Sequence, residues 1–203
     1  MAFVSRGFVG RHETHDEGVG RLPPGQYDIG GGFPVLSAGP TPRTAMDDWD
    51  FTITGEVADR VRLTWQQFQE LPREDVTADI QCVTKWSKFG TTWSGVSLDT
   101  LLSTVETSAD YLLAFCDGGY TSNITLEDVV DGRAWVVDRY DGELLAAEHG
   151  GPARLLVPHL YFWKSAKWVR GLQLSSTEEP GFWETLGYHI YGDPWREQRY
   201  AGD

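Results

Sequence analysis

Residues Ala153–Leu174 read ARLLVPHLYFWKSAKWVRGLQL, and they decide what kind of fold the chain adopts. The segment supplies two short strands, ARLLV and WVRGLQL, around a middle too broken for a long helix. Moving toward the N-terminus, AWVVDRYDGELLA (134–146) reads as a hairpin around Asp141-Gly142, because that dipeptide accepts the positive φ angles of a tight turn. DYLLAFCDGGY (110–120) reads as a buried strand closed by Gly118-Gly119. ADIQ before Cys82 continues an alternation of Val76, Ala78, Ile80 and Cys82, so the cysteine ends the inner face of a strand. Trp49, Phe51 and Ile53 in DDWDFTITGEV alternate in the same way.

Helices are few and short. Thr64 and Gln67 have the spacing of a capping box, and Pro72 follows the predicted end. Ser97 caps a second helix in which Leu98, Leu101, Leu102 and Val105 share one face. TLEDVVDG (125–132) reads as a third. Strands outnumber helices, and neither a βαβ rhythm nor an internal repeat occurs. The expected class is α+β, with mixed, mostly antiparallel sheets. Residues 1–46, rich in Gly and Pro (RLPPGQYDIGGGFPVLSAGPTP), form an arm expected to lie on a domain spanning 47–203.

Composition narrows the function. With 203 residues, 40% of them hydrophobic and 13% aromatic, the chain can bury one good core. Its formal net charge of -13 repels phosphate at long range and argues against nucleic acid or an anionic membrane as partner. No stretch has the length of a membrane span, and the expected location is cytoplasmic. The two cysteines, Cys82 and Cys116, lack CxxC spacing, so a zinc site or disulfide scaffold is not indicated. His12 and His15 lie in the arm, and His149, His159 and His189 have no metal-binding spacing.

Positive charge is distributed unevenly. From Gly151 to Gly171 the chain carries Arg154, Lys164, Lys167 and Arg170 without an acid; from Cys82 to Ser97 it carries Lys85 and Lys88, again without one. Acid-free stretches in so acidic a chain suggest a pocket for an anion. A cation near Cys82 favours its thiolate, the form that attacks or binds metal. Three function classes follow: a metal enzyme, a metal-free enzyme with Cys82 as nucleophile, and a non-catalytic anion-binding module.

CVTKWS (82–87), WSGVSLDTLL (93–102), GGPARLLVPHLYFWKSAKWVRGLQL (150–174) and GYHIYGDPW (187–195) together resemble, in order and spacing, the molybdopterin-binding domain of the sulfite oxidase superfamily. RLPPGQ and FPVLSAGPTP resemble its short bacterial members. The resemblance implies a molybdenum-molybdopterin cofactor, with Cys82 as the thiolate ligand of the metal. It implies cofactor contacts from Phe33, Pro34 and Val35, from Asp117 and His149, and from Arg154 with Lys164, Ser165, Ala166 and Lys167. Tyr188 and His189 are the implied catalytic candidates beside Cys82. The reaction implied is transfer of an oxygen atom to or from a small sulfur or nitrogen compound. Electrons would be exchanged with a separate flavin, haem or iron–sulfur protein, since the chain has no motif for such a group. After the ligand cysteine, sulfite oxidases carry Gly, Asn and two Arg, whereas this chain carries Val83, Thr84, Lys85 and Trp86. Substrate choice is therefore expected to lie in that run, with Trp86 and Tyr188 shaping the pocket and Trp93 in the core.

Overall fold

The computed structural model describes residues 20–203. His12, His15 and the first 19 residues of the arm lie outside the described residues. Among the described residues eleven strands form two sheets. The first sheet is built on β4 (Glu74–Gln81) and β5 (Trp86–Ser97), an antiparallel pair. Beyond β5 come β8 (Trp135–Tyr140) and then β10 (Arg154–Leu156), also antiparallel. Two-residue strands β1 (Tyr27–Asp28) and β9 (Glu143–Leu144) flank β5 and β8, β1 running parallel to β5. The second sheet runs β3 (Val61–Thr64), β2 (Asp50–Gly55), β11 (Val169–Ser175), β6 (Tyr111–Cys116), β7 (Thr121–Thr125), and only β2–β11 is parallel. The fold is α+β with mixed, mostly antiparallel sheets, as the strand-rich sequence implied.

Local chemistry sets the boundaries. Helix α1 (Trp65–Gln69) starts at the capping box: the Gln67 N–H donates to Thr64 Oγ1 at 3.3 Å, and the Thr64 N–H donates to Gln67 Oε1 at 2.9 Å. Ser97 Oγ accepts from the Thr100 N–H at 3.3 Å to start α2 (Leu98–Leu102). A third helix, α3 (Phe182–Thr185), is one turn long. In the β8–β9 hairpin Asp141 and Gly142 have φ of 49° and 81°, the two left-handed residues a type I′ turn requires.

One expectation differs from what is observed, and one strand was not anticipated. TLEDVVDG forms only a single 3-10 turn, Leu126–Asp128, because the Asp128 carboxylate turns inward to accept from Thr125, His159 and Tyr191, and Asp131 and Gly132 then take positive φ. β5 had no strand signature in the run WSKFGTTWSG. Its order comes from ladders on both sides, with β4 and β8, which a single strand's pattern does not encode.

A large core takes residues from both sheets, Phe51, Ile53, Leu112 and Leu172 from the second and Val96, Val136 and Leu155 from the first, with Trp49 and Phe68 packed among them. A smaller aromatic cluster, with Trp86, Trp93 and Trp135 around Ile80 and Cys82, sits behind the first, and Phe33 of the arm packs into it. Cys82 thus belongs to the smaller cluster, at the end where the loops of both sheets converge.

Candidate functional site

The β4–β5 connection is a tight turn. The Lys85 N–H donates to Cys82 O at 3.0 Å, the Cys82 N–H to Trp86 O at 2.8 Å, and Lys85 has φ of 78°. Gln26 of the arm donates to the same Cys82 carbonyl at 3.1 Å. This fixes the Cys82 side chain at the wall of a cleft of about 430 Å³, a size suited to a small molecule or cofactor. The other walls are the residues after β6 (Asp117, Gly118, Tyr120), the segment before and within β10 (His149, Arg154), the β10–β11 connection (Phe162, Trp163 and 165–168), the C-terminal segment (Phe182, Trp183, Tyr188) and the arm (Phe33, Pro34 and most of 36–42).

Cys82 is 6% exposed, and burial pushes its thiol above the ordinary value; the Thr84 side chain, the backbone N–H groups of Thr84 and Val83, and Lys167 act in the opposite direction. Its sulfur accepts from the Thr84 hydroxyl at 3.1 Å. The cation near the thiol is therefore Lys167, distant in sequence. Lys85 is exposed, and Lys88 donates to the Gly30 carbonyl at 3.1 Å; neither lines the cleft.

Arg154 is the distinctive group. It is 1% exposed, and its terminal nitrogens donate to His149 O at 2.8 Å and Ser165 O at 2.6 Å. Its guanidinium carbon lies 4.1 Å from the Phe162 ring centroid and 5.6 Å from that of Trp93. No carboxylate pairs with it among the described residues, and its Nε has no partner. Burial pulls its pKa down to about 9. A buried charge costs on the order of several kcal/mol, which carbonyl dipoles and ring faces offset only in part. The remainder is a standing demand for an anion in the cleft.

Lys167 adds to that demand: it donates to Leu36 O at 2.8 Å and Glu148 O at 2.7 Å, and burial, together with Arg154, lowers its pKa to about 8. His149 stacks on Phe33 with centroids 4.1 Å apart, and burial, Arg154 and Lys167 all hold its pKa below the usual value, so the ring is neutral at pH 7. Asp117 does not face the cleft as an uncompensated acid. Arg170 Nη1 donates to its Oδ1 at 3.1 Å, and Thr44 of the arm donates to its Oδ2 at 2.5 Å.

Of the residues singled out in the sequence, the cleft brings together Phe33, Pro34, Cys82, Asp117, His149, Arg154, Ser165, Ala166, Lys167 and Tyr188. Three stand apart. Val35 is 48% exposed and points away from the lining. The Lys164 ammonium is buried behind the wall, 2.6 Å from Glu184 Oε1 and bonded to Asn123 and Ile190 carbonyls. Glu184 also accepts from the Trp163 indole at 2.8 Å, so Lys164 braces an aromatic wall instead of reaching a ligand. His189 uses Nδ1 to accept from the N–H groups of Tyr191 and Gly192, at 3.0 and 3.2 Å, which ties up the C-terminal loop.

Tyr188 lines the cleft, stacked edge-on to Trp163 at 5.1 Å, and burial raises its pKa, so its phenol keeps its proton at neutral pH. Trp86 lines the cleft while Trp93 does not, which agrees with the sequence reading of Trp93 as core. Sequence reasoning missed Tyr120, which carried no signal, and Phe162, Trp163, Trp168 and Trp183, whose only signal was the unusual aromatic density of 160–188.

These residues fit a phosphorylated, sulfur-ligated cofactor: a buried thiol on one wall, and a buried guanidinium lacking a counter-anion on another. Comparison with known proteins agrees. Residues 38–183 match the family model described as the oxidoreductase molybdopterin binding domain. An uncharacterized oxidoreductase of Bacillus subtilis, YuiH, is 38% identical over 199 residues, 97% of this chain and 100% of that protein. A putative protein-methionine-sulfoxide reductase subunit of Azospira oryzae, YedZ1, is 30% identical over 142 residues, 69% of this chain and 54% of that one. The crystal structure of the sulfane dehydrogenase SoxCD from Paracoccus pantotrophus shares the fold, with a TM-score of 0.62 at 23% identity over 68% of this chain and 41% of that one. The chain belongs to the oxidoreductase molybdopterin-binding domain family, whose cofactor is molybdenum-molybdopterin.

Proposed function

We propose that the protein is a molybdenum-dependent oxidoreductase that moves an oxygen atom between water and a small sulfur or nitrogen compound, exchanging electrons with a separate carrier protein. The observation that carries this is the placement of Cys82 and the acid-free Arg154 on one cleft. The molybdenum-molybdopterin cofactor, when bound, supplies the two-electron redox and oxo chemistry.

The chain's own residues do the rest. Cys82 ligates the metal through its thiolate. Arg154 and Lys167 neutralise the terminal phosphate, and the backbone of Ser165 and Ala166 borders the same space. The His149 ring, neutral and stacked on Phe33, would border the pterin without adding charge. Arg170 and Thr44 already compensate Asp117, so it does not repel the anionic group. Tyr188, protonated at neutral pH, can donate a hydrogen bond or proton to a substrate oxygen. Trp163, Trp183 and Tyr188 exclude water from the apolar side.

The cations at the cleft are engaged on the cofactor side, and Lys85 faces solvent, so nothing is left to bind sulfite as the missing arginine pair would. An uncharged sulfoxide or N-oxide fits this lining better than an oxyanion. We assign the work to the cytosol, in keeping with two buried free thiols. A metal-free cysteine enzyme is the weaker reading, because burial raises the Cys82 pKa and no histidine bonds its sulfur among the described residues.

Metal analysis of protein produced in a host that makes the pterin is the direct test. Equimolar molybdenum in the parent and its loss in Cys82→Ser is expected. Parent protein without molybdenum or pterin fluorescence would sink the reading. Reduced-dye oxidation with methionine sulfoxide, dimethyl sulfoxide and trimethylamine N-oxide, beside sulfite oxidation, fixes the substrate; turnover of sulfite alone would overturn the preference for an uncharged one.

A further inference from the structure

We propose that Thr84 is a positioning residue for the molybdenum centre: its hydroxyl donates a hydrogen bond to the ligating Cys82 sulfur and so raises the reduction potential of the metal. The inference rests on the function proposed above and deepens it. Thr84 Oγ1 lies 3.1 Å from Cys82 Sγ, well inside the range of a hydrogen bond to sulfur. The geometry is not a product of crowding. Thr84 is exposed at the cleft, with water available to its hydroxyl, and threonines in turns ordinarily bond their own backbone. A thiol is a poor acceptor, so the arrangement gains most when the sulfur carries negative charge, as it does as a metal ligand.

The turn holds both partners in place. Cys82 is fixed by its own N–H to Trp86 O and by the Lys85 and Gln26 donors on its carbonyl, while the φ of 78° at Lys85 returns the chain to β5 immediately after Thr84. The hydroxyl is thus presented to the sulfur by a backbone closed on both sides. A donor on a ligand sulfur draws electron density from the metal and favours its electron-rich, reduced state. Where sulfite oxidases follow the ligand cysteine with arginines for substrate, this chain uses the same turn to act on the ligand.

The experiment is a mediator-coupled redox titration of the Mo(V) paramagnetic signal in cofactor-loaded parent, Thr84→Val and Thr84→Ser. Valine keeps the branched shape and removes the donor; serine restores it. We expect the Mo(VI)/Mo(V) potential of Thr84→Val to fall by the equivalent of a threefold to tenfold change in the one-electron equilibrium, up to about 59 mV. Thr84→Ser should stay close to the parent. Equal potentials in parent and Thr84→Val, or equal shifts in both variants, overturn the proposal. If Thr84→Val does not retain metal, Thr84→Ala removes the hydroxyl without filling its space. Loss of metal from Val and Ala variants with Ser intact supports a role of the hydroxyl in holding the ligand, and loss from all three overturns it. Molybdenum absent from the parent defeats the underlying function itself, which keeps the two failures distinct.

Discussion

Arg154 is the single residue whose energetics depend most on what fills the cleft. Replacing it with methionine removes a buried cation with no acid partner, and truncating such a group is often tolerated by a fold. Arg154→Met is expected to fold yet lose most of its bound cofactor, measured as molybdenum per chain. Lys167 sets the pH dependence. Its folded pKa of about 8 lies below its value in an unfolded chain, so between about pH 8 and the ordinary lysine range the folded state binds fewer protons and the unligated protein gains stability. Anion binding runs the other way: retention of a phosphate-bearing ligand is flat below about pH 8 and weakens above it, by up to about tenfold per pH unit. Equilibrium dialysis across pH 6.5–9.5, about one to two units either side of that pKa, checks this, and Lys167→Met should remove the weakening that begins near pH 8 and leave the later one from Arg154, whose pKa is about 9. The sequence announced both residues through an acid-free stretch, but not that Lys164, in the same KSAK run, would turn inward to Glu184.

At the level of elements, backbone closeness and capping have very different weights. Gly95 sits at the β5–β8 register shift, where an added Cβ would lie 2.2 Å from Val136 O and 2.6 Å from Val137 Cα. Neither contact is a movable side chain. Gly95→Ala should cost about 3 kcal/mol and displace the strand that carries the Cys82 turn, lowering both Tm and metal content. Thr64→Ala, which removes one half of the exposed capping box of α1, should cost only about 1 kcal/mol and leave metal content unchanged. Chemical denaturation of both variants distinguishes a local cap from a structural constraint. The cap was legible because it is written within four residues. The Gly95 constraint was not, since the atoms it approaches belong to a strand about 40 residues away.

On the scale of the whole molecule, the charge of -13 and the cationic cleft oppose one another. The far field repels anions, while the local field at Arg154 and Lys167 attracts one. A protein of this net charge should exchange electrons fastest with a basic carrier. That rate is expected to fall steeply with ionic strength, in contrast to a small neutral dye, whose rate should be nearly insensitive to salt. Stopped-flow measurement with the two donors over a salt series checks it; equal slopes would argue against electrostatic docking. Among the described residues no helix is long and apolar enough to cross a membrane.

The sequence by itself determined what depends on short range: the Thr64 capping box and the Ser97 cap, the Asp141-Gly142 hairpin, the strand ending at Cys82 and the acid-free run containing Arg154. It also determined family, because several motifs in fixed order survive without reference to shape. Only the tertiary structure decided which cation faces the thiol, which lysine of KSAK reaches the cleft, and that Thr84 bonds the sulfur. Those outcomes depend on how loops from two sheets and the arm converge on one space, and long-range convergence has no periodicity to read. Burial then reverses simple expectations: it raises a thiol that neighbouring charges were expected to lower, and leaves a guanidinium with no acid partner among the described residues.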